Sequence, residues 1–415
     1  MKTVVFKYGD EEVAIKLPER AQPLYGTEPP ASVGKEKFVS GLDQLIGNQA
    51  SKGPIAIIVA DKTRLCGYPQ VLPWVMETLK KRSINDDQVT FYIAYGTHLP
   101  QSEDECLAAY GEVYQKYRFI HHDCTQQDAF VMLGATRQGT QVKVRRDVVE
   151  SEFILTLGAV SHHYFAGYGG GRKLLFPGLG EKKAIYTNHG LFLDKENARL
   201  AQGCWPGNLD GNPLAEDLQE IHEMLPNYRS IHAVLDSKGK PASYHFGKNY
   251  DDFLVVCRML DDCYKIEVEK PFDLLFASAG GFPKDINMIQ THKSLHNAAN
   301  LVRDGGKLVM FAECRDGIGS TTFLPYFEMG GWDNAFKALA DNYTGNGGTA
   351  LSMMEKTNRI NIALVTSLPG DICAKLHVKK QTLEQAACSF NGVTGRIGVV
   401  QNSSLLVSDR MSTVS

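Results

Sequence analysis

Short, continuously apolar segments alternate with amphipathic ones along this chain, and this alternation is the feature that most constrains its fold. The segments PIAIIVAD (54–61), VTFYIAYGTH (89–98) and EFILTLGAV (152–160) are rich in β-branched and aromatic residues. They lack the strict polar–apolar alternation of a half-exposed strand, so they are typical of strands buried on both faces. Such strands, separated by helical segments, predict an α/β fold.

The strand pattern restarts in the last third of the chain. After KPFDLLFASAGG (270–281) come a helix over about 285–303 and the strands KLVMFAEC, RINIALVT and RIGVVQN. At 415 residues the chain is too long for one ordinary core. We therefore predict two domains, residues 1–270 and 271–415, each with a mostly parallel or mixed sheet flanked by helices, and an active site in the interdomain cleft. The segments TVVFKY (3–8) and EVAIKL (12–17), with a turn at Gly9-Asp10, predict a hairpin, and residues 18–30 predict a loop.

Charge and cysteine content exclude several classes of protein. The net charge of −3 argues against nucleic acid or an anionic membrane as the main partner, because those surfaces attract basic proteins. The nine cysteines are scattered without a CxxC pair, which indicates neither a zinc knuckle nor a disulfide framework. No apolar stretch approaches the length of a membrane span or a signal peptide. These features predict a cytoplasmic enzyme.

Polar residues follow each of the three buried strands. Asp61, Thr63 and Arg64 come after the first strand, His98 after the second, and the segment SHHYFAGYGGGRKLLFPG (161–178) after the third. Ligands of open α/β sheets bind outside the carboxyl ends of the strands. We therefore expect these residues to form one shared site.

The glycine-rich segment permits several interpretations. Gly169, Gly170 and Gly171 could let backbone N–H groups approach a phosphate, or they could simply form a tight turn. The run matches neither GxxxxGK[ST] nor GxGxxG, so the standard nucleotide motifs are absent. Lys173 follows directly and could act as a nucleophile if it is desolvated beside a cation.

The histidines and the cations divide into candidates and structural residues. His98 and His163 follow buried strands and are candidates for acid–base work, whereas His189 is a candidate metal ligand. His121 and His122 are expected to be structural, and His162 is given no role. Arg64 could grip a carboxylate or phosphate, with Asp61 holding that arginine or a ribose hydroxyl. Gln290 and Lys293 lie on one face of a predicted helix and could bind an anionic substrate, although an ordinary polar face has the same pattern.

Taken together, these motifs resemble those of the nickel-pincer lactate racemase family. The residues that carry the resemblance are DKTR (61–64), GTH (96–98), HYFAGYGGGRK (163–173) with PG (177–178), NH (188–189) and QTHK (290–293). They occur in the order of the family and span nearly the whole chain. Five separated motifs in register make the resemblance specific.

The resemblance implies a cofactor and a role for each motif. Lys173 would carry a nickel-pincer nucleotide (a pyridinium bis-thiocarboxylic acid mononucleotide) through a thioamide bond, and His189 would complete the square-planar nickel. His98 and His163 would flank the 2-hydroxyl of a 2-hydroxy acid as two bases, while its hydride passes to the cofactor and a 2-keto acid forms. The carboxylate and hydroxyl would be bound by Arg64, Gln290 and Lys293, and the nucleotide by Asp61, Thr63, Gly169, Gly170 and Gly171.

The same resemblance makes residues 1–270 the cofactor-binding domain and residues 271–415 the substrate-binding domain. It also implies transient partners, the enzymes that synthesise the cofactor. The expected activity is that of a 2-hydroxy acid racemase or epimerase. Two alternatives are an NAD-dependent 2-hydroxy acid dehydrogenase and a non-catalytic protein that binds or stores the nickel cofactor.

The chain departs from the family pattern at positions near the expected substrate. His162 replaces a proline, Gly169 replaces a serine, and Ile289 stands where lactate-specific members tend to have tyrosine. The segment 65–67 also differs from the proline-rich continuation of the family. Loss of a tyrosine enlarges or depolarises a pocket, which favours a 2-hydroxy acid longer than lactate.

Overall fold

The computed structural model describes residues 1–47 and 53–408, which form two compact units. Unit 1 contains Met1–Thr27, Phe192–Asn208 and the chain from Tyr264 onward, and unit 2 contains Glu28–Leu191 and Leu209–Cys263. Among the described residues, no helix is long and apolar enough to cross a membrane.

The helices and strands alternate along most of the chain. The strands before residue 170 are β1 (Lys2–Tyr8), β2 (Glu11–Leu17), β3 (Gln22–Leu24), β4 (Ile55–Ala60), β5 (Val89–Ala94), β6 (Arg118–His121), β7 (Phe130–Ala135), β8 (Gln141–Arg145), β9 (Phe153–Ala159), β10 (Ser161–His163) and β11 (Gly167–Gly169). The later strands are β12 (Leu193–Asp194), β13 (Arg199–Leu200), β14 (Arg229–Leu235), β15 (Pro241–Gly247), β16 (Lys265–Ile266), β17 (Phe272–Ser278), β18 (Val302–Phe311), β19 (Asn361–Val365), β20 (Lys379–Lys380), β21 (Ile397–Val400) and β22 (Val407–Ser408). The helices are α1 (Lys35–Ile46), α2 (Tyr68–Lys81), α3 (Glu103–Tyr110), α4 (Glu112–Lys116), α5 (Arg146–Val149), α6 (Lys182–Gly190), α7 (Pro213–Met224), α8 (Tyr250–Tyr264), α9 (Met288–Ala299), α10 (Trp332–Asp341), α11 (Gly347–Arg359), α12 (Gly370–Lys375) and α13 (Leu383–Ala387).

Unit 2 is built on a six-stranded sheet in the order β15-β14-β9-β4-β5-β6. Its strands are parallel except for β15, which runs antiparallel to β14. The three strands expected from the apolar segments are β4, β5 and β9, which are neighbours in this sheet. Every residue of β4 and β9 is buried, as expected for strands covered on both faces.

Unit 1 has a second six-stranded sheet in the order β20-β19-β18-β17-β21-β3, and all its pairings are parallel. The predicted hairpin is confirmed as β1 and β2, and Phe6 of β1 stacks on Phe311 of β18 with ring centroids 4.4 Å apart. Both units therefore have sheets flanked by helices, which confirms the α/β fold class.

The linear division of the chain at residue 270 differs from the arrangement in the structure. Residues 1–27 and 192–208 belong to unit 1 with the C-terminal part of the chain, and the last crossing falls at Tyr264. For residues 1–27 the cause is a long-range pairing, since β3 adds to the edge of the unit 1 sheet beside β21. This strand lies within the segment 18–30 that the sequence predicts to be a loop, so that prediction is wrong for Gln22–Leu24.

Candidate active site

The carboxyl ends of β4 and β5 meet in one hydrogen-bonded cluster. Asp61 directly follows β4, and its Oδ2 lies 2.6 Å from Nδ1 of His98. Its other oxygen, Oδ1, accepts bonds from the backbone N–H and the hydroxyl of Thr63, at 2.9 and 2.6 Å. The backbone N–H of Lys62 also donates to the side-chain oxygen of Gln101, at 2.7 Å, and so joins the two loops. The expected convergence of these two strand ends is confirmed.

The charge of Asp61 defines the tautomer of its histidine partner. Burial acts to raise the pKa of Asp61, but the hydrogen bond and charge of His98, with the Arg64 cation, outweigh it and hold that pKa well below its usual range. An ionised carboxylate can only accept a hydrogen bond, so Nδ1 of His98 carries the proton and Nε2 is the basic nitrogen. The sequence suggests Arg64 or a ribose hydroxyl as the partner of Asp61, whereas the structure pairs it with His98. Asp61 is therefore a positioning residue.

His163 lies on a tight hairpin that follows β9. Strands β10 and β11 are antiparallel with His163 opposite Gly167, so residues 164–166 form a three-residue turn. Gly167 has a φ of +72°, the left-handed conformation that closes such turns. The backbone N–H groups of Phe165 and Ala166 donate to Nδ1 of His163, at 3.2 and 3.1 Å. The turn therefore fixes the orientation of the imidazole.

His162 has a structural role. Adjacent residues of a strand project to opposite faces, so His162 faces away from His163. Its Nε2 lies 2.8 Å from Oδ1 of Asp261 on α8, and the Tyr168 hydroxyl donates to Oδ2 of the same carboxylate at 2.7 Å. His162 and Tyr168 are also opposite each other in the hairpin. We call these three residues the hairpin clamp, because they attach β10 and β11 to α8.

Lys173 lies in a 3₁₀ turn, Gly171–Leu174. The backbone N–H of Gly96 donates to the carbonyl of Gly178 at 2.9 Å, which ties the loop of His98 to the segment that follows Lys173. A Cβ on Gly178 would lie 2.2 Å from the Leu174 carbonyl oxygen, so only glycine fits there. The PG motif therefore allows two loops of the site to approach each other.

Packing within unit 2 explains two of the three consecutive glycines, Gly170 and Gly171. Gly170 has a φ of +79°, and a Cβ there would lie 2.3 Å from the carbonyl oxygen of Ala159. At Gly171 a Cβ would lie 2.6 Å from the ring of Phe253. These contacts account for the missing side chains of Gly170 and Gly171 without a ligand. The nucleotide-binding role of Gly169, Gly170 and Gly171 stays a prediction.

His189 is held by its own helix in the tautomer of a metal ligand. Its Nδ1 donates to the carbonyl oxygen of Ile185, 2.7 Å away, which leaves Nε2 as the basic nitrogen. Burial and the nearby Lys173 cation lower its pKa to about 4, with smaller contributions from His98 and Arg64, so the ring is neutral at pH 7. The charges that act on this ring identify His189, Lys173, His98 and Arg64 as one cluster in unit 2.

Asn188, the other half of the NH motif, anchors α6. Its Nδ2 donates to Oδ2 of Asp217 on α7 at 2.8 Å, and the Thr140 hydroxyl donates to the same oxygen at 2.9 Å. Asn188 and Asp217 are buried. The asparagine therefore positions the helix that carries His189.

The donor set fits a cofactor that brings its own metal ligands. In residues 1–47 and 53–408, no three His, Cys, Asp or Glu side chains are grouped as they would be to hold a metal ion. The site instead offers one neutral imidazole near one lysine amine. A bare ion would lack ligands here, whereas a lysine-linked group with its own donor atoms needs only this imidazole from the protein.

Four residues considered in the sequence remain: Gln290 and Lys293 lie in unit 1, and His121 and His122 lie in unit 2. Gln290 and Lys293 lie on α9, and Lys293 Nζ donates to Gln290 Oε1 at 2.8 Å, which confirms that they share a helix face. His121 and His122 make hydrogen bonds inside unit 2, to Tyr95, Tyr114 and the Gly180 carbonyl. They are structural, as the sequence suggests.

Sequence reasoning did not find Gln101, Asp217 or Asp261. Each acts through a partner that is distant in the sequence, 99 residues in the case of Asp261 and His162. No local sequence pattern marks a residue whose partner is this distant.

Comparison with known proteins identifies the class and then the family. Curated lactate racemases from Thermoanaerobacterium thermosaccharolyticum and Lactiplantibacillus plantarum are each 27% identical, over 79% and 78% of this chain and 78% and 75% of theirs. The fold matches the lactate racemase apoprotein from T. thermosaccharolyticum with a TM-score of 0.86 at 24% identity, over 98% of this chain and 100% of that one. A Thermotoga maritima protein matches with a TM-score of 0.70 at 15% identity, over 92% and 99%.

The protein is thus an isomerase of the racemase class. Residues 8–201 match the lactate racemase N-terminal domain, and residues 268–342 match the lactate racemase C-terminal domain. The chain belongs to the lactate racemase family.

Proposed function

We propose that this racemase inverts the C2 centre of a 2-hydroxy acid through a 2-keto acid, with a lysine-linked nickel-pincer nucleotide as hydride acceptor. One observation carries the proposal: His98, a base that is hydrogen-bonded to an aspartate, lies in the same cluster as Lys173 and His189. The His189 imidazole is neutral and has the tautomer that can bind a metal. A base for a hydroxyl proton and an attachment point for a cofactor are the two functions that this reaction requires.

Lys173 and His189 would hold the cofactor. When bound, the nickel-pincer nucleotide supplies a reversible hydride acceptor. The lysine amine would form the covalent link, and Nε2 of His189 would bind nickel, because the Nδ1–H of His189 is already donated to the Ile185 carbonyl. The backbone around Gly169, Gly170 and Gly171, with Thr63, would border the nucleotide.

His98 and the cations would act on the substrate. The hydroxyl proton of the substrate passes to Nε2 of His98, and the Asp61 carboxylate stabilises the imidazolium that forms. Arg64 neutralises the substrate carboxylate, a task for which a guanidinium is well suited. The family resemblance adds Gln290 and Lys293, on α9, as further anchors.

The substrate is proposed to be a 2-hydroxy acid with a larger side chain than that of lactate. Ile289, which precedes Gln290 on α9, cannot donate the hydrogen bond of a tyrosine. Leu65, in the segment that departs from the family pattern, is an exposed apolar side chain directly after Arg64. An apolar substrate side chain has favourable contacts with such a residue. The enzyme would work in the cytoplasm, where cofactor-synthesising enzymes would be its transient partners.

Co-expression with those biosynthetic enzymes tests the proposal. Intact mass should show an adduct on the wild-type chain, peptide mapping should place it on Lys173, and the purified protein should contain nickel. The Lys173→Arg variant should lose the adduct, whereas the matched control Lys182→Arg, at an exposed lysine, should keep it. His189→Gln should keep the adduct but lose nickel.

Activity should then be followed by chiral chromatography on a panel of 2-hydroxy acids from lactate to branched and aromatic members. A wild-type chain without an adduct or nickel after co-expression would refute the proposal. Stoichiometric NADH formation in place of racemisation would favour the dehydrogenase alternative. Cofactor loading without turnover of any member would favour a storage protein.

A further inference from the structure

The two histidines to which the family resemblance gives proton transfer, His98 and His163, are held in opposite ways. Each ring is anchored through Nδ1, but His98 meets a hydrogen-bond acceptor there and His163 meets two donors. A neutral imidazole has one N–H and one bare nitrogen, so the anchor at Nδ1 decides what Nε2 can do.

His98 presents a bare Nε2. Asp61 is ionised and only 3% of its side chain is exposed, so it can only accept the proton on Nδ1 of His98. The side chain of His98 is 44% exposed, which leaves the ring accessible to a ligand. Its Nε2 is therefore poised to accept a proton.

His163 presents an N–H at the same atom. Backbone amides can only donate, so Nδ1 of His163 must be bare to accept the bonds from Phe165 and Ala166. The single proton of the neutral ring is then on Nε2. Protonation of Nδ1 would break both bonds and would leave two amides of the turn without this acceptor, at a cost of about 1 kcal/mol or more for each.

We propose that His98 and His163 are not interchangeable bases: His98 accepts the hydroxyl proton, and His163 donates a hydrogen bond through Nε2–H to a substrate oxygen. This inference rests on the proposed function and replaces the symmetric two-base arrangement that the resemblance implies. In the proton-transfer step the O–H bond breaks, a bond forms between Nε2 of His98 and the proton, and the electron pair stays on oxygen. The donor at His163 stabilises negative charge on that oxygen or on the carboxylate.

NMR of the apo protein tests the tautomers without any cofactor. The full chain is labelled with ¹⁵N at its histidine rings, and two-bond ¹H–¹⁵N correlations at pH 8 separate protonated from bare ring nitrogens. Signals of the two rings among the 12 histidines are assigned by their loss in His98→Gln and His163→Gln. We expect Nδ1–H for His98 and Nε2–H for His163. The same tautomer in both rings, or an Nδ1–H on His163, overturns the inference.

Asp61→Asn provides a directed perturbation. The side-chain oxygen of the introduced asparagine keeps the two bonds to Thr63, so its amide N–H faces His98 and the ring proton should move to Nε2. Asp123→Asn is a matched control, because Asp123 makes the same pair of bonds to Thr125, at 2.8 and 2.6 Å. It should leave both tautomers unchanged. A His98 ring that keeps Nδ1–H in Asp61→Asn contradicts the role assigned to Asp61.

Kinetics of the loaded enzyme provide a second readout. Glutamine can donate a hydrogen bond but cannot act as a base, so His163→Gln should keep turnover within about 10-fold while His98→Gln loses about 10²–10⁴-fold. In a Ser-His-Asp triad, the corresponding Asp→Asn change lowers kcat about 10⁴-fold through the wrong tautomer, and Asp61→Asn should approach this loss. Equal losses in the two glutamine variants would refute the donor role. If no 2-hydroxy acid turns over, the proposed function fails while the NMR result still decides the tautomers.

Discussion

Replacing Asp261 by asparagine should loosen the hairpin that carries His163. Asp261 accepts two hydrogen bonds, from His162 Nε2 at 2.8 Å and from the Tyr168 hydroxyl at 2.7 Å. Asparagine has one accepting oxygen and one donating amide nitrogen, so it can satisfy only one of the two donors. The other donor is left facing an N–H group, inside a site where the side chain of His162 is 5% exposed and Tyr168 is 4% exposed.

The size of the effect follows from this loss. A buried donor left without an acceptor costs roughly 1–3 kcal/mol. The Asp261 side chain is 24% exposed, so water partly screens its charge and replaces some of the lost interaction. We therefore expect the free energy of unfolding of unit 2 to fall by about 1–2 kcal/mol.

Urea denaturation of the apo protein can isolate this unit. Of the three tryptophans, Trp74 lies in unit 2, whereas Trp205 and Trp332 lie in unit 1. A Trp205→Phe/Trp332→Phe background makes fluorescence report on unit 2 alone. Asp262→Asn is the matched control, because Asp262 is the exposed neighbour on the same helix, and it should change stability by less than about 0.5 kcal/mol.

Amide hydrogen exchange gives a local readout of the same change. The amides of Phe165 and Ala166, which bond to His163, should exchange faster in Asp261→Asn than in Asp262→Asn. Equal urea midpoints for the two variants, together with equal exchange at these amides, would show that the hairpin clamp does not hold the hairpin.

Three further changes test the packing of unit 2 by urea denaturation. Gly170→Ala adds both a left-handed backbone penalty and a clash with the Ala159 carbonyl, so it should lower the free energy of unfolding by roughly 2 kcal/mol or more. Gly139→Ala is the control, because Gly139 has a φ of +89° but open space around it, and it should lower that free energy by about 1 kcal/mol. Equal losses in the two variants would exclude the clash. Burial, with the nearby His245 charge, lowers the pKa of His232 to about 4. Between pH 6.5 and 4 the unfolded chain therefore binds a proton that the folded chain does not, so the free energy of unfolding falls as the pH is lowered through this range. His232→Leu should reduce the loss of stability between pH 7 and 5 by about 2 kcal/mol, and an unchanged pH dependence would contradict that assignment. Arg172 is buried and, among the described residues, none of its three guanidinium nitrogens has a hydrogen-bond partner. Arg172→Met should therefore keep or raise the free energy of unfolding. A loss above about 1 kcal/mol would contradict this.

The central sheet of unit 2 is predictable because its signals are local. The apolar segments at β4, β5 and β9 are continuous, and a strand buried on both faces requires no partner information to be recognised. The hairpin of β1 and β2 is equally local, since two alternating segments flank Gly9. The clustering of polar residues at strand ends then follows from the geometry of parallel sheets.

The division into units is less predictable, because it depends on pairing across the whole chain. Strand β3 has three residues, two of them exposed, and little in Gln22–Leu24 distinguishes it from a loop. It becomes a strand because β21, more than 370 residues later, offers it an edge. Context of this kind overrides local propensity in short edge strands.

By itself, the sequence determined the α/β class, the strands that lead into the site, and the residue types available for chemistry, because periodicity and turn chemistry act over a few residues. Only the tertiary structure decided which groups meet. Asp61 and His98 are 37 residues apart, and His162 and Asp261 are 99 apart, so no local pattern could pair them. The protonation pattern of each imidazole depends on whether a donor or an acceptor lies within about 3 Å of Nδ1, and packing of the whole unit sets distances of that size.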